Sequence, residues 1–171
     1  MKILSDAECQ EWLESKRGKG VSWRTVEADY PQYVKYGLPA ETGRKTALSR
    51  EVTHSVDTSQ CGLLWVTDWS IFPSSQNMAL FDGYRKSLGE DRPIIEAPGH
   101  IFGESDLQEL ECLFGLALYF FWDAYLFEQA GRTVVRINHH DFISVHARDS
   151  ARLSEFQNIF ERLKLERWGP P

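Results

Sequence analysis

Residues 132–147, which read RTVVRINHHDFISVHA, carry the clearest structural signal in this chain. Apolar and polar side chains alternate from Arg132 to Asn138 and again from Asp141 to Ala147, which is typical of strands with one covered face. The intervening pair His139-His140 is short enough to form a hairpin turn, and two strands joined by a hairpin run antiparallel. The stretch therefore predicts that the sheet contains an antiparallel pair.

The rest of the sequence predicts strands and helices in alternation. The expected strands are Val21–Val26, Gly62–Trp69 at the sheet centre, and a short edge strand Pro93–Glu96. The expected helices begin at a Ser5–Glu8 capping box, at Lys45, at Ser74 or Ser75, at a second capping box Ser105–Gln108, and at Ser150, the last one reaching Glu166. Residues 27–44 are expected to form a loop. With the hairpin, this order favours an α+β sandwich, in which a mixed or antiparallel sheet of about four to five strands packs against helices.

The longest predicted helix covers about residues 106–127 and is expected to be buried. Its centre, Cys112–Trp122 (CLFGLALYFFW), has eleven residues without a charge. A membrane-spanning helix needs about 20 apolar residues, so this length is typical of a core helix instead. Four of its side chains are expected in the protein core: Leu113, Leu116, Phe120 and Phe121.

The composition is that of a globular protein, with 171 residues of which 42% are hydrophobic and 13% aromatic. A chain of this length can bury one core without disulfides, so we expect one domain over residues 1–171, with a flexible tail at 168–171. The formal net charge of −6 argues against a nucleic-acid partner, because such proteins usually carry a basic excess. The three cysteines are odd in number and no signal-peptide pattern is present, so we expect a cytoplasmic protein without membrane association.

Histidines and carboxylates in two polar segments are the candidates for chemistry. His139, His140 and Asp141 could bind a metal or transfer protons, since imidazole and carboxylate groups do both. His100, in the Pro/Gly segment after Glu96, could join such a site. The alternative for the first group is a polar hairpin tip, because Asn and Asp are common in turns. We expect no metal and no cofactor, and an enzyme only as the second choice.

The negative charge is concentrated in the middle of the chain. Residues 61–131 hold 11 acidic and 3 basic side chains, and Glu104, Asp106, Glu109 and Glu111 crowd around the start of the long helix. Carboxylates favour a helix N-terminus, which explains the first one or two of them. The others suggest an acidic face that attracts a basic protein partner.

Three tyrosines recur every third residue in the expected loop: Tyr30, Tyr33 and Tyr36. In an extended segment they would line one edge, and tyrosine is enriched at protein interfaces. The alternative is that the rings fold back and cover the core.

The leading functional hypothesis is a non-enzymatic protein-binding module with an acidic, tyrosine-bearing surface, for example an inhibitor or immunity-type protein that binds a basic partner. Its predicted partner-binding residues are Tyr30, Tyr33, Tyr36, Glu104, Glu109 and Glu111. The second hypothesis is a small enzyme or metal-binding protein that uses His100, His139, His140 and Asp141. The third is a structural protein that forms a homodimer through an uncovered sheet edge.

Overall fold

The computed structural model describes residues 1–56, 62–69 and 75–169. Within these residues, seven strands form one antiparallel sheet in the order β1-β4-β3-β5-β6-β7-β2. The strands are β1 (Lys2–Leu4), β2 (Gln32–Gly37), β3 (Gly62–Asp68), β4 (Gly99–Phe102), β5 (Asp123–Glu128), β6 (Thr133–Asn138) and β7 (Phe142–Ala147). The α+β class, the antiparallel pairing and the β6–β7 hairpin are confirmed, whereas the expected number of strands is too low.

The same residues contain five α-helices: α1 (Asp6–Arg17), α2 (Thr42–Ser55), α3 (Ser75–Ser87), α4 (Leu107–Phe120) and α5 (Ser150–Arg162). The first capping box is confirmed, because the Glu8 backbone N–H donates to Ser5 Oγ at 3.4 Å and the Ser5 backbone N–H donates to Glu8 Oε2 at 2.8 Å. Helices α2 and α3 lie close to their predicted positions. Ser74, one of the three cysteines (Cys61) and residues 170–171 of the expected tail lie outside the described residues.

The two faces of the sheet are covered differently. On β5, Leu126 points to the face that α2, α4 and α5 cover, whereas Tyr125 and Phe127 point to the opposite face. Helix α1 packs on that opposite face through Cys9 and Leu13, which contact side chains of β3 and β5. Further along the same face, β6, β7 and β2 carry polar and aromatic side chains, so this part of the sheet is the one available for a site.

The helix expected over residues 106–127 is too long. Helix α4 ends at Phe120, Phe121 then adopts φ 54°, and Asp123–Glu128 form strand β5. All six residues of β5 are buried. Residues 112–127 are apolar at nearly every position, so their sequence shows neither the helical period nor the strand period. Of the four side chains expected in the core, that of Leu113 is fully buried. The other three are half-buried: Leu116, Phe120 and Phe121.

Three further assignments from the sequence are wrong. Val26–Asp29 form a short 3-10 helix after an irregular turn, so the strand expected at Val21–Val26 is absent. The loop expected over 27–44 contains β2, and the strand expected at Pro93–Glu96 is a turn that precedes β4. These segments are short or rich in Pro and Gly, and in such segments the available pairing partner outweighs the local preference.

The ends of the last two helices also differ from expectation. Ser105 does not cap α4; instead Asp106 Oδ2 accepts the Gly103 backbone N–H at 3.0 Å in a short 3-10 turn before the helix. Helix α5 begins at Ser150 as predicted, but it ends at Arg162 rather than at Glu166. After α5 the chain turns at Lys164, which adopts φ 54°, and the residues that follow pair with the edge of the sheet.

Both outer strands of the sheet are partly covered. The Trp168 backbone N–H donates to Lys35 O of β2 at 2.9 Å, so Trp168, which was expected to begin a flexible tail, lies on the sheet edge. At the other edge, β1 has only three residues, and the Arg92 side chain donates to Ile3 O at 3.1 Å. These contacts shorten the unpaired edges through which a second copy could add its own strand. None of the described helices is long and apolar enough to cross a membrane.

Candidate functional site

The side chains suggested as an enzyme or metal site do not come together. His100 lies on β4, fully buried on the helix-covered face beside the rings of Phe81 and Phe102. The other three lie in the turn between β6 and β7, three strands away in the sheet: His139, His140 and Asp141. Strands are spaced by about 4.8 Å, so at least roughly 14 Å separates His100 from this turn, too far for a shared metal ion. The described residues contain no group of three metal-ligating side chains.

The turn contains a histidine–carboxylate pair that sequence reasoning missed. Asp123 Oδ1, at the start of β5, accepts the His139 backbone N–H at 2.7 Å and lies 2.8 Å from His139 Nδ1. Asp123 Oδ2 accepts a side-chain N–H of Asn138 at 3.1 Å. The three contacts hold the end of the hairpin against β5 and orient the His139 ring. The pair was missed because Asp123 was assigned to the long helix, far from the hairpin.

The burial of His100 predicts a pH dependence of stability. Burial and the nearby Arg85 guanidinium lower the pKa of His100 from 6.5 to about 3. Between these two values the unfolded chain binds a proton that the folded protein excludes, so stability is lost as the pH falls below 6.5. This group should cost about 2 kcal/mol of unfolding free energy at pH 5. Denaturant titrations at pH 7 and pH 5 measure this effect. Between the two pH values, the free energy of unfolding of His100→Phe should fall by about 2 kcal/mol less than that of the wild type. Equal decreases would contradict this role of His100.

The acidic side chains expected at a docking surface lie around the start of α4, next to β4. Glu104 is exposed, but Glu111 Oε2 lies 3.5 Å from His54 Nε2. Glu109 is half-buried and lies near Tyr84 of α3. Two of these three carboxylates therefore interact with other helices as well as facing solvent.

Of the three tyrosines expected on a binding edge, Tyr33 is exposed at 64% of its surface. Tyr30 is buried and donates its hydroxyl to Gly131 O at 3.3 Å, while Tyr36 lies on the helix-covered face with its ring 5.0 Å from that of Phe160. Tyr33 and Tyr36 point to opposite faces because they are three positions apart on a strand. Strand β2 lies at one end of the sheet and β4 near the other, so Tyr33 and the acidic side chains do not share one surface.

The face of the sheet opposite α2, α4 and α5 contains a cleft over β6, β7 and β2, with a volume of about 460 Å³. In the strand register, Arg136 lies opposite Ser144, and Ser144 lies opposite Lys35. The next row on the same face places His146 opposite Tyr33. We call this the sheet-face cleft. Its main side chains are Phe142, Glu27, Tyr33, Lys35, Arg136, Ser144 and His146.

Two cations of the sheet-face cleft share one aromatic ring. Lys35 Nζ lies 3.4 Å from the ring centroid of Phe142, and Arg136 Cζ lies 5.8 Å from the same centroid. Arg136 donates from Nη1 to Glu27 Oε1 at 3.0 Å, whereas Lys35 forms no ion pair with a carboxylate in the part of the chain that is described. Burial and the neighbouring Arg136 lower the pKa of Lys35. Among the described residues, the cleft therefore holds a lysine that contacts aromatic rings and pairs with no carboxylate.

A serine and a histidine lie side by side at the floor of the cleft. Ser144 and His146 are both buried; His146 Nε2 lies 3.2 Å from Ser144 Oγ and 3.7 Å from Glu27 Oε2. A serine nucleophile is activated when the two nitrogens of the histidine face the serine and the carboxylate separately. Here one nitrogen faces both groups, so the geometry is not that of a catalytic triad. Burial lowers the pKa of His146, which keeps the imidazole neutral at pH 7.

Exposed aromatic side chains border the cleft. The Tyr33 ring stacks on His146 with centroids 5.4 Å apart and planes inclined by 16°. Trp168 is 42% exposed, and its ring lies 5.7 Å from Phe142 and 5.3 Å from Lys35 Nζ. Tyr, Trp and Arg are the residues that most often contribute strongly to protein interfaces.

Comparisons with protein-family models, curated proteins and solved structures find no match to this chain.

Proposed function

We propose that this chain is a protein-binding module that docks an acidic segment of its partner on the sheet-face cleft. The observation that supports it best is the exposure of Tyr33 and Trp168 on either side of Lys35, a lysine without an ion pair in the described chain. Exposed aromatic side chains supply contact area at low entropic cost, and an unpaired cation supplies selectivity for negative charge. The sequence also predicts a protein-binding function, but through an acidic surface and with a basic partner. Here the docking surface is the sheet-face cleft, and the docked segment of the partner is acidic.

A local positive charge in an acidic protein favours one orientation of the partner. The chain has a net charge of −6, so an acidic partner is repelled by most of its surface and attracted at Lys35 and Arg136. Complementary charge of this kind fixes the docking register and raises the association rate.

Site-specific crosslinking and matched variants test the proposal. A photoreactive amino acid placed at Tyr33 should crosslink a protein from the native host, and the same group at Ile95, which is 66% exposed in the turn before β4, should not. With the purified partner, Tyr33→Ala should weaken binding by about tenfold or more, as for a strong interface aromatic, and Ile95→Ala should leave it unchanged. Both variants should fold as the wild type does, because exposed substitutions change stability little.

Other crosslinked species would contradict the proposal. If the species bound at Tyr33 is single-stranded nucleic acid, the aromatic side chains serve base stacking instead. If it is a second copy of this chain, the surface serves self-association. Equal effects of Tyr33→Ala and Ile95→Ala on the affinity for the partner would remove the cleft from the interface.

A further inference from the structure

We propose that Lys35, Arg136 and Ser144 form a subsite for one carboxylate group, supplied by an Asp or Glu side chain of the docked partner. The inference rests on the proposed function, because it names the chemical group that the cleft recognises. It differs from that function in assigning a particular anion to particular atoms.

The three side chains are aligned across three strands. Arg136 on β6, Ser144 on β7 and Lys35 on β2 occupy one row of the register on the same face. Neighbouring strands are about 4.8 Å apart, so the side chains of such a row can converge on a group the size of a carboxylate. The proximity of the two cations is independently shown by their contacts with one ring, that of Phe142.

The row has hydrogen-bonding capacity that the protein does not use. Arg136 donates from Nη1 to Glu27, whereas its buried Nε–H has no acceptor in the described part of the chain. Ser144 Oγ is buried with a single described contact, to His146 Nε2, although a hydroxyl can make three. Leaving a buried donor without a partner is unfavourable, so an acceptor that enters here relieves an existing cost.

The charge balance favours a monoanion. Within the cleft, Lys35 and Arg136 are opposed by Glu27 alone, and His146 is neutral, which leaves one positive charge. A carboxylate neutralises this charge, whereas a phosphate dianion would leave an excess negative charge next to Glu27. Phe142 and Trp168 border the site, and the Trp168 ring lies 5.7 Å from that of Phe142 and 5.3 Å from Lys35 Nζ.

Titration of the full chain with decaglutamate tests the subsite, and decaglutamine of the same length is the uncharged control. We expect saturable binding of decaglutamate, followed by amide chemical shifts, and no binding of decaglutamine. Lys35→Gln should weaken binding by about tenfold, as loss of a charge-assisted contact does, while Lys35→Arg should retain most of it. Lys86→Gln, which removes the same charge from an exposed site on α3, should change affinity less than about twofold.

Several results would overturn the subsite. Equal weakening by Lys35→Gln and Lys86→Gln would show only nonspecific attraction, and so would equal binding of the two peptides. Tighter binding of inorganic phosphate than of decaglutamate would reject the carboxylate assignment. If Lys35→Gln leaves decaglutamate binding intact while Tyr33→Ala still releases the partner, the subsite fails and the proposed function stands. If decaglutamate binds at Lys35 but the partner crosslinks elsewhere, the subsite stands and the proposed function fails.

Discussion

Replacement of Arg152 by Ala should lower the free energy of unfolding by about 3–5 kcal/mol, the range for breaking a buried ion pair. Glu128 on β5 is fully buried, and Arg152 on α5 donates to its carboxylate, to Ser55 O at the end of α2, and to Thr133 Oγ1 at 3.1 Å. One guanidinium thus joins two helices and two strands. Without it, the Glu128 carboxylate loses its closest cation while remaining buried.

Two comparisons separate this ion pair from surface charge and from packing. Arg162→Ala removes a pair with Glu51 in which both side chains are largely exposed, so its cost should stay below about 1 kcal/mol in the same urea titration. The double variant Arg152→Met with Glu128→Leu should recover much of the loss, because an apolar pair of similar size needs no desolvation. A loss below about 1 kcal/mol for Arg152→Ala would contradict the assigned role.

Truncation of Phe114 to Ala should cost about 3–5 kcal/mol, the usual range for a buried Phe. Phe114 lies on α4, is fully buried, and belongs to the apolar cluster between the sheet and α2, α4 and α5. The cavity left by its ring would be surrounded by rigid elements on several sides, which limits its collapse. The measurement is the change in the midpoint and slope of urea unfolding.

Phe120→Ala is the matched control for this truncation. It removes the same ring from the last residue of α4, where the side chain is half-buried beside Trp122. Its cost should be clearly smaller, near the average of about 1 kcal/mol for point substitutions. Equal losses for the two variants would mean that the core does not centre on the buried face of α4.

The parts of the fold that could be predicted from the sequence are those with a clear period. The alternation in residues 132–147 correctly predicts the hairpin, and the Ser5 capping box correctly predicts the start of α1. By contrast, residues 112–127 are apolar at nearly every position, and no period in such a run marks where α4 ends and β5 begins. Strand β1 has three residues, too few to show any period.

The candidate site could not be predicted because its residues come from segments whose partners are distant in sequence. Residues 27–44 were expected to form a loop, so Tyr33 and Lys35 had no assigned face, although both lie on β2. The sequence did contain half of the signal: Arg136, Ser144 and His146 are the polar positions of two alternating strands. Only the pairing of β7 with β2 shows that these polar positions and Lys35 share one cleft.

Docking of a partner on the sheet-face cleft can be measured through the amide and indole chemical shifts of the chain during titration with the purified partner. The largest shifts should occur in β2, in residues 136–146 and at the Trp168 indole N–H. Largest shifts at residues 104–111, where Glu104 and Glu111 lie, would contradict it and would favour the acidic surface expected from the sequence.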